Sequence, residues 1–203
     1  MKDEGKNIFS VFDEILPRSA KEELLGQKSK VLWMTGLSGS GKTTIAKVLE
    51  KKLHENKFLS QLLDGDNVRS GLNNNLGFSE ADRQENIRRI AELSKLFLNC
   101  GIITINCFVS PTQAVRETAR KIIGQEDFIE VFIDTPLEVC EKRDTKGLYA
   151  KARAGEIRDF TGINAPFEVP KNADLQVKTE GYSPEESAGY ILDHLLPIIQ
   201  WKS

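Results

Sequence analysis

The chain has 203 residues, 39% of them hydrophobic and 29% charged, with 28 Lys and Arg against 30 Asp and Glu for a formal net charge of −2. This length builds one domain with a full core. The near-even charge supplies no basic field for nucleic acid, and no apolar run approaches the roughly 18 residues of a membrane span. The three cysteines, Cys100, Cys107 and Cys140, form no Cys-x-x-Cys pair and read as reduced thiols. With an N-terminus that lacks an apolar leader core, they give the expectation of a cytoplasmic protein. Only His54 and His194 exist, neither near a cysteine, so a Cys/His metal site is not expected.

In chain order, residues 1–29 read as an extension. Ile8, Phe9, Val11, Phe12, Ile15 and Leu16 form an apolar cluster broken by Pro17, and a short helix over Lys21–Leu25 stops at Gly26. The extension is expected to pack on the following domain, residues 30–203, or on a second subunit. Lys30–Thr35 is a first apolar strand. It runs into Gly36, Leu37, Ser38, Gly39, Ser40, Gly41, Lys42, Thr43 and Thr44, an uninterrupted G-x-x-x-x-G-K-[ST] loop that opens a helix. In such a loop backbone N–H groups wrap a triphosphate and the helix N-terminus adds partial positive charge. Lys42 would reach the β/γ-phosphates, and the Thr43 hydroxyl would ligate Mg²⁺. The expected cofactors are therefore ATP and Mg²⁺.

Phe58–Leu63 is the second strand, ending in Asp64-Gly65-Asp66-Asn67. That tetrapeptide is either a polar turn or, beside a bound triphosphate, a pair of carboxylates that hold Mg²⁺ and orient an attacking hydroxyl. Ser79–Asn99 is a long helix with Ser79 as N-cap. Its inward stripe is Ile87, Ile90, Leu93, Ser94, Phe97 and Leu98, and Arg83 and Asn86 project onto the same face near its start. A polar pair there needs partners, either a structural carboxylate or an anionic ligand, and Arg69 just upstream suits the same oxyanion. Ile102–Ile105 is the third strand, followed by Phe108, Ser110 and a helix over Thr112–Ile123. Phe128–Ile133 is the fourth. Asp134 after it resembles an Mg²⁺-holding aspartate, but the following Thr135-Pro136 reads as helix entry and favours a structural role. Residues 145–162, basic and glycine-containing, read as a lid that excludes water, and Arg143 stands just before them. Leu175–Val177 is the fifth strand. Ser183-Pro184-Glu185-Glu186 is a capping box that opens the last helix. Alternating apolar strands and helices predict an α/β fold: a three-layer sandwich of the P-loop NTPase type, with a parallel sheet of about five strands covered on both faces, plus the basic lid.

Several blocks together resemble the adenylylsulfate kinase family. They are Gly36–Thr44, LDGDNVRSGL from Leu63, LGFSEADRQENIRRIAEL from Leu76, FVSP from Phe108, EVFIDTPLEVCEKRD from Glu130 and KGLYAKARAGEIRDFTGI from Lys146. The resemblance covers roughly residues 30–180. It implies transfer of phosphate from ATP to the 3′-hydroxyl of adenosine 5′-phosphosulfate, with Mg²⁺, in a homodimer, and it leaves open a sulfurylase partner. Carried over by position, Arg69, Arg83 and Asn86 hold the phosphosulfate. Phe78 and Phe160 sandwich the adenine, Phe108 and Ser110 lie on the substrate loop, and Lys146 and Leu148 belong to the lid. Lys42, Asp64, Asp66, Ser110 and Lys146 are the catalytic set, Thr43 and Asp64 the metal-facing pair. In bacterial members the serine matching Ser110 is described as a phosphoserine intermediate, but in-line transfer requires only positioning and charge neutralisation. The alternative is another small-molecule P-loop kinase acting on a nucleotide or sugar acid. A GTP-binding switch is disfavoured because no N-K-x-D motif occurs.

Overall fold

The computed structural model describes Phe9, Val11 and residues 14–201; Ile8 and Phe12 of the apolar N-terminal cluster lie outside the described residues. Five strands form one all-parallel sheet: β1 (Val31–Thr35), β2 (Ser60–Asp64), β3 (Ile103–Cys107), β4 (Phe128–Asp134) and β5 (Leu175–Lys178), in the order β2-β3-β1-β4-β5. The helices are α1 (Arg18–Leu25), α2 (Lys42–Glu55), α3 (Gly65–Ser70), α4 (Glu80–Asn99), α5 (Gln113–Ile123), α6 (Leu137–Arg143), α7 (Leu148–Arg153) and α8 (Pro184–Ile199). None of them is long and apolar enough to cross a membrane.

The central strand β1 is wholly buried, so its sequence VLWMT is continuously apolar rather than alternating. Leu32 and Met34 face a core built with Ile45, Leu49 and Leu53 of α2 and Ile191 and Leu195 of α8. Val31 and Trp33 face the opposite core, with Ile87, Ile90 and Leu98 of α4 and Ala119 and Ile123 of α5. Helices on both faces make the three layers that alternating strands and helices predict. Strand order reverses beside β1, which leads into the glycine loop, so that loop lies at the carboxyl edge of the sheet where α/β folds bind ligands.

Local chemistry explains the helix boundaries. Ser79 Oγ accepts from the Asp82 N–H at the head of α4, and Ser183 and Glu186 complete a reciprocal capping box at α8. Thr112 caps α5 from outside rather than forming its first turn. The second strand starts two residues later than Phe58. Asp64-Gly65-Asp66-Asn67 is not a free turn: the Asp64 side chain accepts from the Asp66 N–H and starts α3. Along α4 the fully buried positions are Asn86, Ile87, Ile90, Ala91, Ser94 and Leu98, whereas Leu93 and Phe97 are half-buried. Before β1, Arg18 donates to both Asp127 carboxylate oxygens (2.6 and 3.0 Å), to Glu22 (2.8 Å) and to Ser29 Oγ (2.8 Å), while Gln27 bonds Leu59 and Gly101. These contacts tie α1 to the ends of β4 and α4.

Candidate active site

The turn from β1 into α2 is forced by backbone geometry. Gly36 has φ +152°, and a Cβ there would lie 2.7 Å from the Ile133 carbonyl oxygen, so a side chain would push β4 away. Lys42 opens α2 and its ammonium is buried, donating to the carbonyls of Gly36 (2.9 Å) and Leu37 (2.7 Å). Burial pulls its pKa down to about 8. A desolvated ammonium at the mouth of a helix N-terminus is poised to gain from an anion. Arg143, at the end of α6, reaches the same loop at the Ser40 carbonyl (3.2 Å). Thr44 faces solvent one residue beyond Thr43.

The predicted metal pair comes together. Thr43 Oγ1 donates to Asp64 Oδ2 at 2.7 Å, which puts a hydroxyl and a carboxylate side by side between α2 and the end of β2. Among the described residues no group of three or more His, Cys, Asp or Glu side chains could hold a metal ion. A hydroxyl with one carboxylate suits Mg²⁺, which keeps several waters and takes its remaining oxygens from phosphates. Asp66 is exposed and forms an ion pair with Lys146, so the 145–162 segment reaches the strand-two carboxylates. Such an exposed pair adds little stability. Asp134, the other candidate carboxylate, accepts from Gln176 Nε2 (2.8 Å) and, through its carbonyl, from the Thr179 N–H, holding the edge strand β5.

A second cluster lies around the start of α4. The Arg69 guanidinium sits 4.5 Å over the exposed Phe78 ring. Arg83 Nε donates to the Phe78 carbonyl (3.0 Å) and Nη2 to the Asp159 carbonyl (2.6 Å), so it joins the head of α4 to the residue before Phe160. No carboxylate pairs with Arg83 among the described residues. Burial and then the neighbouring Arg83 charge push the Arg69 pKa down. Two guanidinium groups that repel each other gain from an anion placed between them. Asn86 is buried, and its Oδ1 accepts from Asn73 Nδ2 at 3.0 Å. Leu148 is half-buried at the first turn of α7.

Two predicted residues are deeper than a surface loop would place them. Phe108 is 5% exposed and packs on Trp33, ring centroids 5.8 Å apart. Ser110 is 2% exposed with φ +38°; its hydroxyl accepts from Trp33 Nε1 (3.1 Å) and bonds Thr35 Oγ1 (3.0 Å), and its carbonyl accepts from buried Arg116 (2.9 Å). Trp33, Arg116, Asn73 and Tyr149 were not singled out by sequence. Trp33 is indistinguishable from a core residue of a buried strand, and Arg116 from a helix charge. The Tyr149 hydroxyl donates to the Ser38 carbonyl (2.8 Å) inside the glycine loop, and its ring meets Phe160 edge-on at 5.0 Å.

The family model described as adenylylsulphate kinase matches residues 28–178. The chain belongs to the adenylylsulfate kinase family. An adenylyl-sulfate kinase of Bacteroides thetaiotaomicron is 60% identical over 200 residues, covering 98% of this chain and all of that protein. One from Clostridium acetobutylicum is 54% identical over 180 residues, covering 89% and 90%. Among solved structures, the Mycobacterium tuberculosis APS kinase CysC in complex with AMPPNP and APS superposes with a TM-score of 0.80 at 49% identity, covering 83% of this chain and 98% of that one. The glycine loop, the strand-two carboxylates and the Arg69/Arg83 cluster of this family member all fall within the matched region.

Proposed function

We infer that this chain transfers the γ-phosphoryl group of ATP to the 3′-hydroxyl of adenosine 5′-phosphosulfate, releasing ADP and 3′-phosphoadenosine 5′-phosphosulfate. The observation that carries this reading is that the carboxyl edge of the sheet bears two distinct charge sites. One is the Gly36–Thr43 loop with buried Lys42. The other is the Arg69–Phe78–Arg83 cluster, joined to Phe160 through Asp159. The first binds the donor triphosphate; the second offers cations to the phosphosulfate and aromatic faces to the adenine. A sugar-acid acceptor has no aromatic face to stack, so the exposed Phe78 ring, with Arg69 over one face and Arg83 beside it, favours a nucleotide acceptor over the generic small-molecule kinase.

In this reading Lys42 neutralises charge that grows on the transferred group. Thr43 and Asp64 would hold Mg²⁺, which would supply charge neutralisation to the bound triphosphate. Asp66 orients the acceptor hydroxyl and accepts its proton, and Lys146, its ion-pair partner, moves to the phosphates as the 145–162 segment closes as a lid. Arg143 stabilises the donor loop. Ser110 braces the substrate loop, its hydroxyl occupied by Trp33 and Thr35, and transfer passes directly between substrates. Asn86, oriented by Asn73, presents its amide to the phosphosulfate. The reading includes a cytoplasmic homodimer; exposed Phe9, Val11, Leu16 and Leu24 before β1 support a subunit contact there. The test is ADP release from MgATP with adenylylsulfate, AMP, gluconate or shikimate as acceptor. Turnover restricted to adenylylsulfate is expected; preference for any other acceptor restores the generic-kinase alternative.

A further inference from the structure

Tyr149 connects the two charge sites and is used by neither. It sits in the first turn of α7, 3% exposed. Its ring stands edge-on to Phe160 at 5.0 Å and 82°, a favoured geometry for an aromatic pair. Its hydroxyl crosses 111 residues of sequence to donate to the Ser38 carbonyl at 2.8 Å. The same segment touches the loop a second time. At Gly162, two residues after Phe160, φ is +94° and a Cβ would lie 3.0 Å from Leu37 Cδ2, so the backbone is pressed on the residue next to Ser38. Phe160 is also held from behind, where Asn164 Oδ1 accepts its N–H at 2.5 Å, and from the side, where Arg83 bonds the Asp159 carbonyl. Among the described residues, Tyr149 alone of the side chains that fix Phe160 carries a hydrogen bond into the donor loop. Packing alone would be served by phenylalanine. A buried phenol keeps its place when its hydroxyl has a partner, and here that partner belongs to the phosphate-binding loop.

We propose that Tyr149 is a positioning residue: it fixes the aromatic face that receives the acceptor's adenine at a set distance from the phosphate-binding loop, and so places the acceptor hydroxyl in line with the γ-phosphoryl group. This rests on the functional reading above. In-line transfer demands reacting atoms about 3–3.5 Å apart, and a displacement near 1 Å costs far more in rate than in binding. Loss of the hydroxyl therefore affects the chemical step, and loss of the ring affects acceptor binding.

The test compares Tyr149→Phe and Tyr149→Leu with the wild-type chain. Steady-state kinetics with MgATP and adenylylsulfate are combined with calorimetric titration of ATP to count nucleotide-competent molecules. For Tyr149→Phe, kcat per competent molecule falls about tenfold or more while both KM values stay within about twofold. For Tyr149→Leu, the adenylylsulfate KM also rises about tenfold, with ATP affinity unchanged in the absence of acceptor. A Tyr149→Phe variant with wild-type kcat overturns the proposal, as does one whose loss matches a fall in competent molecules, since that marks a merely structural role. A wild-type chain inert toward adenylylsulfate overturns the underlying reading and the proposal with it, an outcome distinct from the previous two.

Discussion

Replacing Lys42 with methionine is expected to stabilise the nucleotide-free protein and to abolish transfer. The ammonium is buried at the head of α2, and burial lowers its pKa from 10.5 to about 8 in spite of carbonyl oxygens 2.7 and 2.9 Å away. A drop of that size corresponds to on the order of 3 kcal/mol against the charged form in the folded state. Methionine fills much of the same path without charge but leaves the Gly36 and Leu37 carbonyls to other donors, so the net gain at neutral pH is about 1–3 kcal/mol. For a chain of this size that is a rise of roughly 2–10 °C in Tm. The sign follows from proton counts. Below about pH 8 both states of the wild-type chain carry the proton and the folded state bears the full cost. Between about pH 8 and 10.5 the unfolded state binds more protons than the folded one, so wild-type stability gains on the variant as pH rises. Thermal melts followed by circular dichroism across that range should show a variant advantage that is largest near neutral pH and shrinks above about pH 8. Turnover should fall by about a thousandfold or more, because the lost charge acts most strongly in the transition state. A variant no more stable than wild type at neutral pH, an advantage independent of pH, or retained turnover would each refute this reasoning.

Arg83→Ala and Phe160→Ala should each weaken adenylylsulfate binding about tenfold or more while leaving ATP affinity without acceptor little changed, as read by titration calorimetry. Equal losses for both ligands would place these residues at a shared structural joint instead. Asp64→Asn, which alters the carboxylate 2.7 Å from the Thr43 hydroxyl, should lower turnover in a way that added Mg²⁺ partly restores. Asp66→Asn should lower it without Mg²⁺ rescue; wild-type rates for both across Mg²⁺ concentrations would leave them as parts of the α3 cap alone. Burial raises the pKa values of Asp127 and Glu22, but hydrogen bonds from Arg18 and Lys30 to Asp127, and from Ser29 and Arg18 to Glu22, outweigh it and leave both below the usual carboxylate range. Their contribution is present above the unfolded carboxylate pKa near 4 and is lost as pH falls through the folded values. Asp127→Asn should therefore lower Tm at neutral pH and flatten its fall in acid; an unchanged acid limb in the melts would remove this pair from the account.

Features encoded within a few residues are legible in the sequence. The Gly36–Thr43 loop, the Ser79 and Ser183 caps and the central strand β1 depend on local spacing, and each lies where that spacing puts it, whereas β2 starts two residues later than its apolar run. Arg83 and Asn86 were visible because they interrupt an apolar helical face, although Asn86 turns out to be buried against Asn73. Tyr149, Trp33 and Arg116 were invisible for the converse reason. Their partners Ser38, Ser110 and Glu130 lie far away in sequence or across elements, and each residue suits its own helix or strand without them. Asp64-Gly65-Asp66-Asn67 illustrates an intermediate case. Its composition fits a turn, but the side chain of Asp64 can also cap a helix, and packing of Val68 into the core selects the helix.

The most direct test is the identity of the product. MgATP and adenylylsulfate are incubated with the wild-type chain, and the nucleotide formed is examined by phosphorus and proton NMR. The account predicts a new phosphate monoester coupled to the ribose 3′ proton, with the phosphosulfate intact and one ADP formed per product. Phosphate on any other position, or ATP consumed without a new ester on the acceptor, would contradict it.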